Sequence, residues 1–313
     1  MDYLPIDCDT LLVNYPIEFD LFIRYGDDRY TLWIKEGNVF SSTNQQQLLQ
    51  HNVSHLYIVP QTKDKLLEYQ SKTLAKIVED PHLTEEKRAT IIHDAITNQV
   101  NYIFDEGINE AVIYQTKEIV KVMLDQLSCN RISTQSLLNL VSHNYYTYSH
   151  SVNVAIYSIA LAQELGMDDE SLAIIANGAI LHDVGKTKID PKIITKPARL
   201  TNDEMRIMYD HPQLGVEILR EMGETNVEVL KIVGMHHYKL DGSGYGADCP
   251  DEELSIETQV VTVADIFDAL STKRTYKEAI PYFTAFKTMK VMMNNQINTQ
   301  FLNKLIVLMG RPA

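Results

Sequence analysis

The sequence predicts an α+β protein, with a small N-terminal α/β domain followed by an all-α helical bundle. Three observations predict it. Two β-rich runs, residues 19–25 and 30–35, flank Gly26-Asp27-Asp28-Arg29, a hairpin signal. From about Lys63 the apolar spacing changes to a helical period of about 3.6 residues. Histidines and aspartates then recur at the ends or in the middle of successive helical stretches, as they do where bundles gather metal ligands in their cores.

Residues 1–60 carry the α/β part. After the hairpin a short helix is expected over 45–50, then a strand over 55–59 closed by Pro60. His51 and His55 stand four apart, but no carboxylate or cysteine accompanies them, and they read as solvent-facing polar residues. Residues 61–105 read as a helical connector. Within it Thr84-Glu85-Glu86-Lys87 has the form of an N-terminal cap with acids in the first turn, and Ala89, Ile92, Ile96, Val100 and Ile103 form an apolar stripe. His93-Asp94 on this helix reads as an exposed pair. Gly107 marks a break, and a second stripe through Val112, Ile119, Val120, Met123 and Leu127 opens the all-α domain, residues 106–313.

Five helical stretches of that domain carry the polar residues of interest. One contains His150 and runs to Gly166; a second spans 170–182 and ends at Gly185. A third, over 202–222, is broken at Asp210-His211-Pro212. A fourth, over 227–237, ends on His236-His237, and a fifth, over 255–270, holds Asp265 in the apolar context Val263-Ala264-Asp265-Ile266-Phe267.

Composition narrows the class. The 313 residues allow a domain of about 200 residues plus a smaller one. Cys8, Cys129 and Cys249 are far apart and form no CxxC pair, so a reducing cytoplasm is expected. Acids occupy the N-terminus where a signal peptide carries bases, and the longest apolar run, 152–162, is too short to span a bilayer. A net charge of −14 argues against DNA or RNA as a partner, while metals and a few Lys or Arg can still make one pocket positive for a small phosphorylated ligand.

The chemistry centres on Leu181-His182-Asp183-Val184-Gly185-Lys186. Adjacent imidazole and carboxylate groups can bridge two cations, and mixed N/O ligation suits Fe, Mn, Zn or Ni better than Ca or Mg. His150, His211, His236, His237 and Asp265 are the candidate partners. Asp265 lies among residues that read as buried, so it needs a cation, either a salt-bridge arginine or a metal. Leu240-Asp241-Gly242-Ser243-Gly244-Tyr245-Gly246 forms a tight loop whose backbone N–H groups can approach an anion; a simple turn explains it as well.

Together these stretches resemble the HD-GYP family of bacterial cyclic-dinucleotide phosphodiesterases. The resemblance rests on Tyr146 to Val154, His182-Asp183-Val184-Gly185-Lys186, His211-Pro212 with Gly215, His236-His237, Asp241-Gly242-Ser243-Gly244-Tyr245, Asp265 to Leu270 and Arg274-Thr275-Tyr276-Lys277. It covers roughly residues 130–280 in the family's order, and residues 1–105 look like the variable regulatory domains attached to such proteins. It implies an HD-type helical bundle that hydrolyses cyclic di-GMP to pGpG, and in some members onward to GMP, at two divalent transition metals, Fe or Mn, holding a bridging hydroxide. Asp183 would bridge the metals. His150, His182 and Asp265 would complete one, and His211, His236 and His237 the other. Lys186 would reach a phosphate oxygen, its plain alternative being an exposed helix lysine. Gly244, Tyr245, Asp268, Arg274 and Lys277 would contact substrate, Tyr245 rather as a loop anchor, and Arg274 and Lys277 alternatively read as a solvated surface pair. GGDEF-type signalling proteins at the GYP-like loop and a second copy of the chain are the candidate protein partners.

Three departures from the family pattern stand out. Gly244-Tyr245-Gly246 lacks the family's proline, and His236-His237-Tyr238-Lys239 replaces Glu-Arg by Tyr-Lys. Some members bind a third cation through a glutamate at the position of Tyr146, a poor ligand while neutral, so two metals are expected. Hydrolysis of another cyclic dinucleotide such as cyclic GMP-AMP, a non-catalytic receptor, and a general HD-type nucleotidohydrolase are the alternative functions.

Overall fold

The computed structural model describes residues 3–26, 29–141, 147–247, 254–273 and 279–310. In chain order its elements are β1 (Leu4–Asp7), β2 (Tyr15–Pro16), β3 (Leu21–Tyr25), β4 (Arg29–Ile34), β5 (Val39–Phe40), α1 (Ser42–Gln50), β6 (His55–Ile58), α2 (Lys63–Val78), α3 (Glu85–Asp105), α4 (Glu110–Ser128) and α5 (Thr134–Leu138). There follow α6 (Thr147–Glu164), α7 (Asp169–Leu181), α8 (Pro191–Ile194), α9 (Asn202–Tyr209), α10 (His211–Glu221), α11 (Val227–Met235), α12 (Ile256–Ser271), α13 (Tyr282–Met292) and α14 (Thr299–Met309). The fold is α+β, as the hairpin signal and the change of period imply. Two compact units divide at Asn98/Gln99, inside α3.

In the first unit an antiparallel sheet has the strand order β1-β6-β3-β4, with β2 and β5 paired separately. The expected hairpin is β3–β4, its register shifted between Leu21 and Phe22. The unit reaches past the expected boundary at residue 60, and the reason is packing. Leu66 and Tyr69 of α2 are buried in the same apolar core as Ile6, Leu21, Leu56 and Ile58. The Tyr69 hydroxyl also accepts the Leu12 N–H at 2.9 Å. Within the 61–105 stretch, α2 thus packs on the first unit and α3 runs across the division between the units. His51 and His55 are exposed, as expected. His93 and Asp94 are not fully exposed: both are half-buried on α3, with Nδ1 3.3 Å from the carboxylate.

The second unit is built around α6. From Ser149 to Ala162 every residue of this helix is buried, so it is apolar on all sides, the pattern of a central core helix. It packs against α7 and α12, with α5 and α14 completing its surroundings. Helix starts are set by side chains at some distance from the polar residues of interest: Asp168 caps α7, Asn226 caps α11 and Ser255 caps α12. That leaves the C-terminal ends of α7 and α11 to deliver histidines. The expected 202–222 helix is two helices, α9 and α10, broken at Asp210 with Pro212 in the first turn of α10.

A candidate metal centre

Six of the seven predicted ligands are buried: His150, His182, Asp183, His211, His236 and Asp265 are each no more than 5% exposed. His237 is partly open, its side chain 21% exposed. They come from different elements. α6 supplies His150, His182 is the C-cap of α7 with Asp183 next, His211 opens α10, His236 is the C-cap of α11, and α12 supplies Asp265.

Local backbone chemistry aims the rings. The last carbonyls of a helix have no intrahelical partner. At three helix ends a histidine Nδ1 takes up one of them: His182 on Ala179 O at 2.6 Å, His211 on Met208 O at 2.7 Å and His236 on Val233 O at 2.9 Å. A carbonyl only accepts, so each Nδ1 carries the proton and each Nε2 presents a lone pair to the centre. His150 is oriented in the same way by a carboxylate, Nδ1 lying 2.7 Å from Asp268 Oδ2.

Asp183 stands between two groups of imidazoles. Its Oδ2 lies 3.4 Å from His182 Nε2 and 3.7 Å from His150 Nε2, and its Oδ1 lies 3.3 Å from His211 Nε2 and 4.0 Å from His236 Nε2. Asp265 also spans the centre, with Oδ1 3.2 Å from His150 Nε2 and Oδ2 3.6 Å from His237 Nδ1. This reach is wider than a role in the His150–His182 half alone. The donor atoms of His150, His182 and Asp183 lie within 4.8 Å of one another, and so do those of His211, His236 and His237.

Several observations fit this donor set to cations. His182 Nε2 and Asp183 Oδ1 are buried without a hydrogen-bond partner, which is costly unless something positive satisfies them. The Nε2 atoms of His211 and His236 face each other at 3.3 Å, two lone pairs with no proton between them once both Nδ1 atoms are protonated. Protonation states agree. Burial pushes the His211 imidazole down to about 4, helped by Lys186, and the His237 imidazole down to about 3; burial and its neighbour His237 hold His236 well below the ordinary range. For Asp183 burial opposes ionisation, but Lys186 and the histidines outweigh it and hold the carboxyl well below the usual range. Asp265 is likewise held well below the usual range against its burial, by the imidazoles of His150 and His237 beside it. Ionised carboxylates and neutral imidazoles are the forms that bind metal.

The other expected residues fall in several places. Lys186 is half-buried with Nζ 2.5 Å from Asp183 Oδ2. Gly244 pairs with Tyr238, and a Cβ there would lie 2.2 Å from the carbonyl oxygen of His237. Tyr245 lies over His237, their ring centroids 4.5 Å apart. Asp268 departs from the substrate-binding expectation. It is fully buried and occupied on both oxygens, Oδ2 by His150 and Oδ1 by Asn153 Nδ2 and Thr272 Oγ1, each at 2.9 Å, so it orients His150 from behind. Arg274, Lys277 and Tyr146 lie outside the described residues. Asn153 and Thr272 were missed from sequence; the one signal was an asparagine inside an otherwise apolar helix.

Close approach of the backbone assembles the centre. A Cβ on Gly185 would lie 1.9 Å from His211 O and 2.6 Å from Gly215 N, so only glycine lets the segment after Asp183 lie against the start of α10. The two loop departures are one packing solution: a Cβ at Gly246 would come within 2.5 Å of the Tyr238 ring and 2.4 Å of Gly234 O.

The family described as HD domain matches residues 134–300. A 3'3'-cGAMP-specific phosphodiesterase 3 of Vibrio cholerae is 28% identical over 233 residues, 73% of this chain and 46% of that protein. The cyclic di-GMP phosphodiesterase response regulator RpfG of Xanthomonas campestris pv. campestris is 41% identical over 120 residues, 38% of this chain and 32% of that protein. The chain thus spans about half the length of these relatives or less. Among solved structures Bd1817, an HDG"Y"P protein from Bdellovibrio bacteriovorus, has the same fold, with a TM-score of 0.69 at 21% identity over 99% of this chain and 100% of that one.

Proposed function

The chain belongs to the HD-domain family, and to its HD-GYP group, and from that premise we propose that it is a metal-dependent phosphodiesterase hydrolysing cyclic di-GMP to the linear pGpG. The observation that carries this reading is the buried pair of donor groups on either side of Asp183. His150 and His182 would hold one divalent cation and His211, His236 and His237 the other, with Asp183 shared and Asp265 within reach of both halves. Bound there, two cations supply charge neutralisation of the phosphodiester and a water acidic enough to attack at neutral pH.

The chain's own groups do the rest. Lys186, now on Asp183, is placed to move to a non-bridging phosphate oxygen as a point charge. The water oxygen bonds to phosphorus, the bond from phosphorus to the 3′-oxygen breaks, and that oxygen leaves with a proton. The product keeps a 5′-phosphate. Arg274 and Lys277 would add contacts to phosphate or guanine.

A second reading, hydrolysis of cyclic GMP-AMP, is favoured by the loop, where Tyr238 and Gly246 replace the usual acid and proline beside the centre, and by the relative specific for 3'3'-cGAMP. Incubating metal-loaded protein with each dinucleotide and separating products by chromatography decides between them. Cyclic di-GMP is expected to turn over faster, and Asp183→Ala to abolish turnover and lower metal content. An Asp183→Ala variant with near-normal rates refutes the two-metal reading; a wild type that binds but never cleaves makes the protein a receptor.

A further inference from the structure

A column of aromatic rings runs from the buried donor set to the surface. The centroids of His236 and His237 are 4.1 Å apart, those of His237 and Tyr245 4.5 Å, and those of Tyr245 and Tyr209 4.1 Å. The last two steps are inclined by only 31° and 37°, whereas His211 meets His237 at 84° and His182 meets His236 at 79°. The two outer steps are thus closer to parallel than these contacts among the inner rings. His236 is fully buried, Tyr245 is half-buried, and Tyr209 is 43% exposed. Tyr209 ends α9 two residues before His211, so the helix break that delivers a ligand also delivers this ring.

We infer that Tyr209, backed by Tyr245, presents the ring face on which a purine base of the substrate stacks. The inference rests on the proposed function. In a nucleotide the base is one sugar away from its phosphate, so a phosphodiester at Asp183 places a base beside the rings that begin at His237. Aromatic faces next to an anion site suit this ligand because every base carries a π-face. Tyr209 is then a substrate-binding residue with no part in holding metal.

Steady-state kinetics with the preferred cyclic dinucleotide, together with elemental analysis, test this on the full chain. Tyr209→Ala and Tyr209→Leu are expected to raise KM about tenfold, the scale of one base–aromatic stack, with kcat and metal content within twofold of wild type. Tyr209→Phe, which keeps the ring face, is expected to restore KM. An unchanged KM in the alanine and leucine variants overturns the inference alone. A fall in kcat or metal content with KM unaltered also overturns it, since Tyr209 would then act only by packing Tyr245. A wild type that turns over no cyclic dinucleotide overturns the proposed function and this inference with it.

Discussion

Asp268 shows how much one residue behind a ligand decides. Its carboxylate obliges His150 to carry the proton on Nδ1, which leaves the Nε2 lone pair on the side of Asp183 and Asp265. Asp268→Asn would turn an amide N–H or a weaker acceptor toward that nitrogen and favour the wrong tautomer. Metal affinity is expected to fall about 10–100-fold with the fold retained; a chelator competition titration beside a circular dichroism spectrum measures both. The histidines also couple stability to pH. In the unfolded chain an imidazole binds its proton below about 6.5; in the fold His211 does so only near 4 and His237 only near 3. Between those values the unfolded state holds more protons, so stability present above pH 6.5 is lost as the pH falls. Asp183 and Asp265, held ionised, act in the same direction at still lower pH. The melting temperature of metal-free protein should therefore drop between pH 7 and pH 4.5, and a His211→Gln, His237→Gln variant should flatten that slope.

At the scale of elements, the ends of helices do the work. α7, α9 and α11 each stop where a histidine can bond a last-turn carbonyl, so termination of the helix and orientation of the ligand are one event. The 3₁₀ segment Val184–Lys188 then turns back against α10, and Gly185 permits the approach. Gly185→Ala places a methyl against backbone atoms that cannot rotate away. We expect a loss of about 1–3 kcal/mol or more of stability, and a larger fractional loss of metal, because Asp183 and His211 are separated directly. Denaturant titration and elemental analysis of the same preparation measure the two effects. Equal stability and full metal content in the alanine variant would show that the segment can shift as a body.

For the whole molecule, every candidate ligand belongs to the second unit, residues 99–313. A fragment of residues 99–313 is expected to fold and to bind as much metal per chain as the full protein. Gln99 remains anchored in it through Nε2 to Val112 O at 3.0 Å. Metal content of the purified fragment is the measurement. A folded fragment without metal would make the first unit part of the centre. No helix among the described residues is long and apolar enough to cross a membrane.

The sequence by itself determined the fold class, most helix positions and the seven His and Asp residues that the structure brings together. Period, caps and breakers are local signals, and buried acids in apolar runs such as Val263 to Phe267 announce a partner without naming it. Three things were decided only by the tertiary structure. The first unit gained α2 because Tyr69 and Leu66 complete its core, a contact across more than fifty residues that no periodicity records. Asp268 became a buried support for His150 because α12 crosses α6 there, at a separation of 118 residues. Asp265 came to face both halves of the centre for the same reason. Spacing along a chain reports which face of a helix a residue occupies, but which oxygen meets which nitrogen depends on how close two helices approach, and here glycines at positions 178, 185 and 215 set that distance.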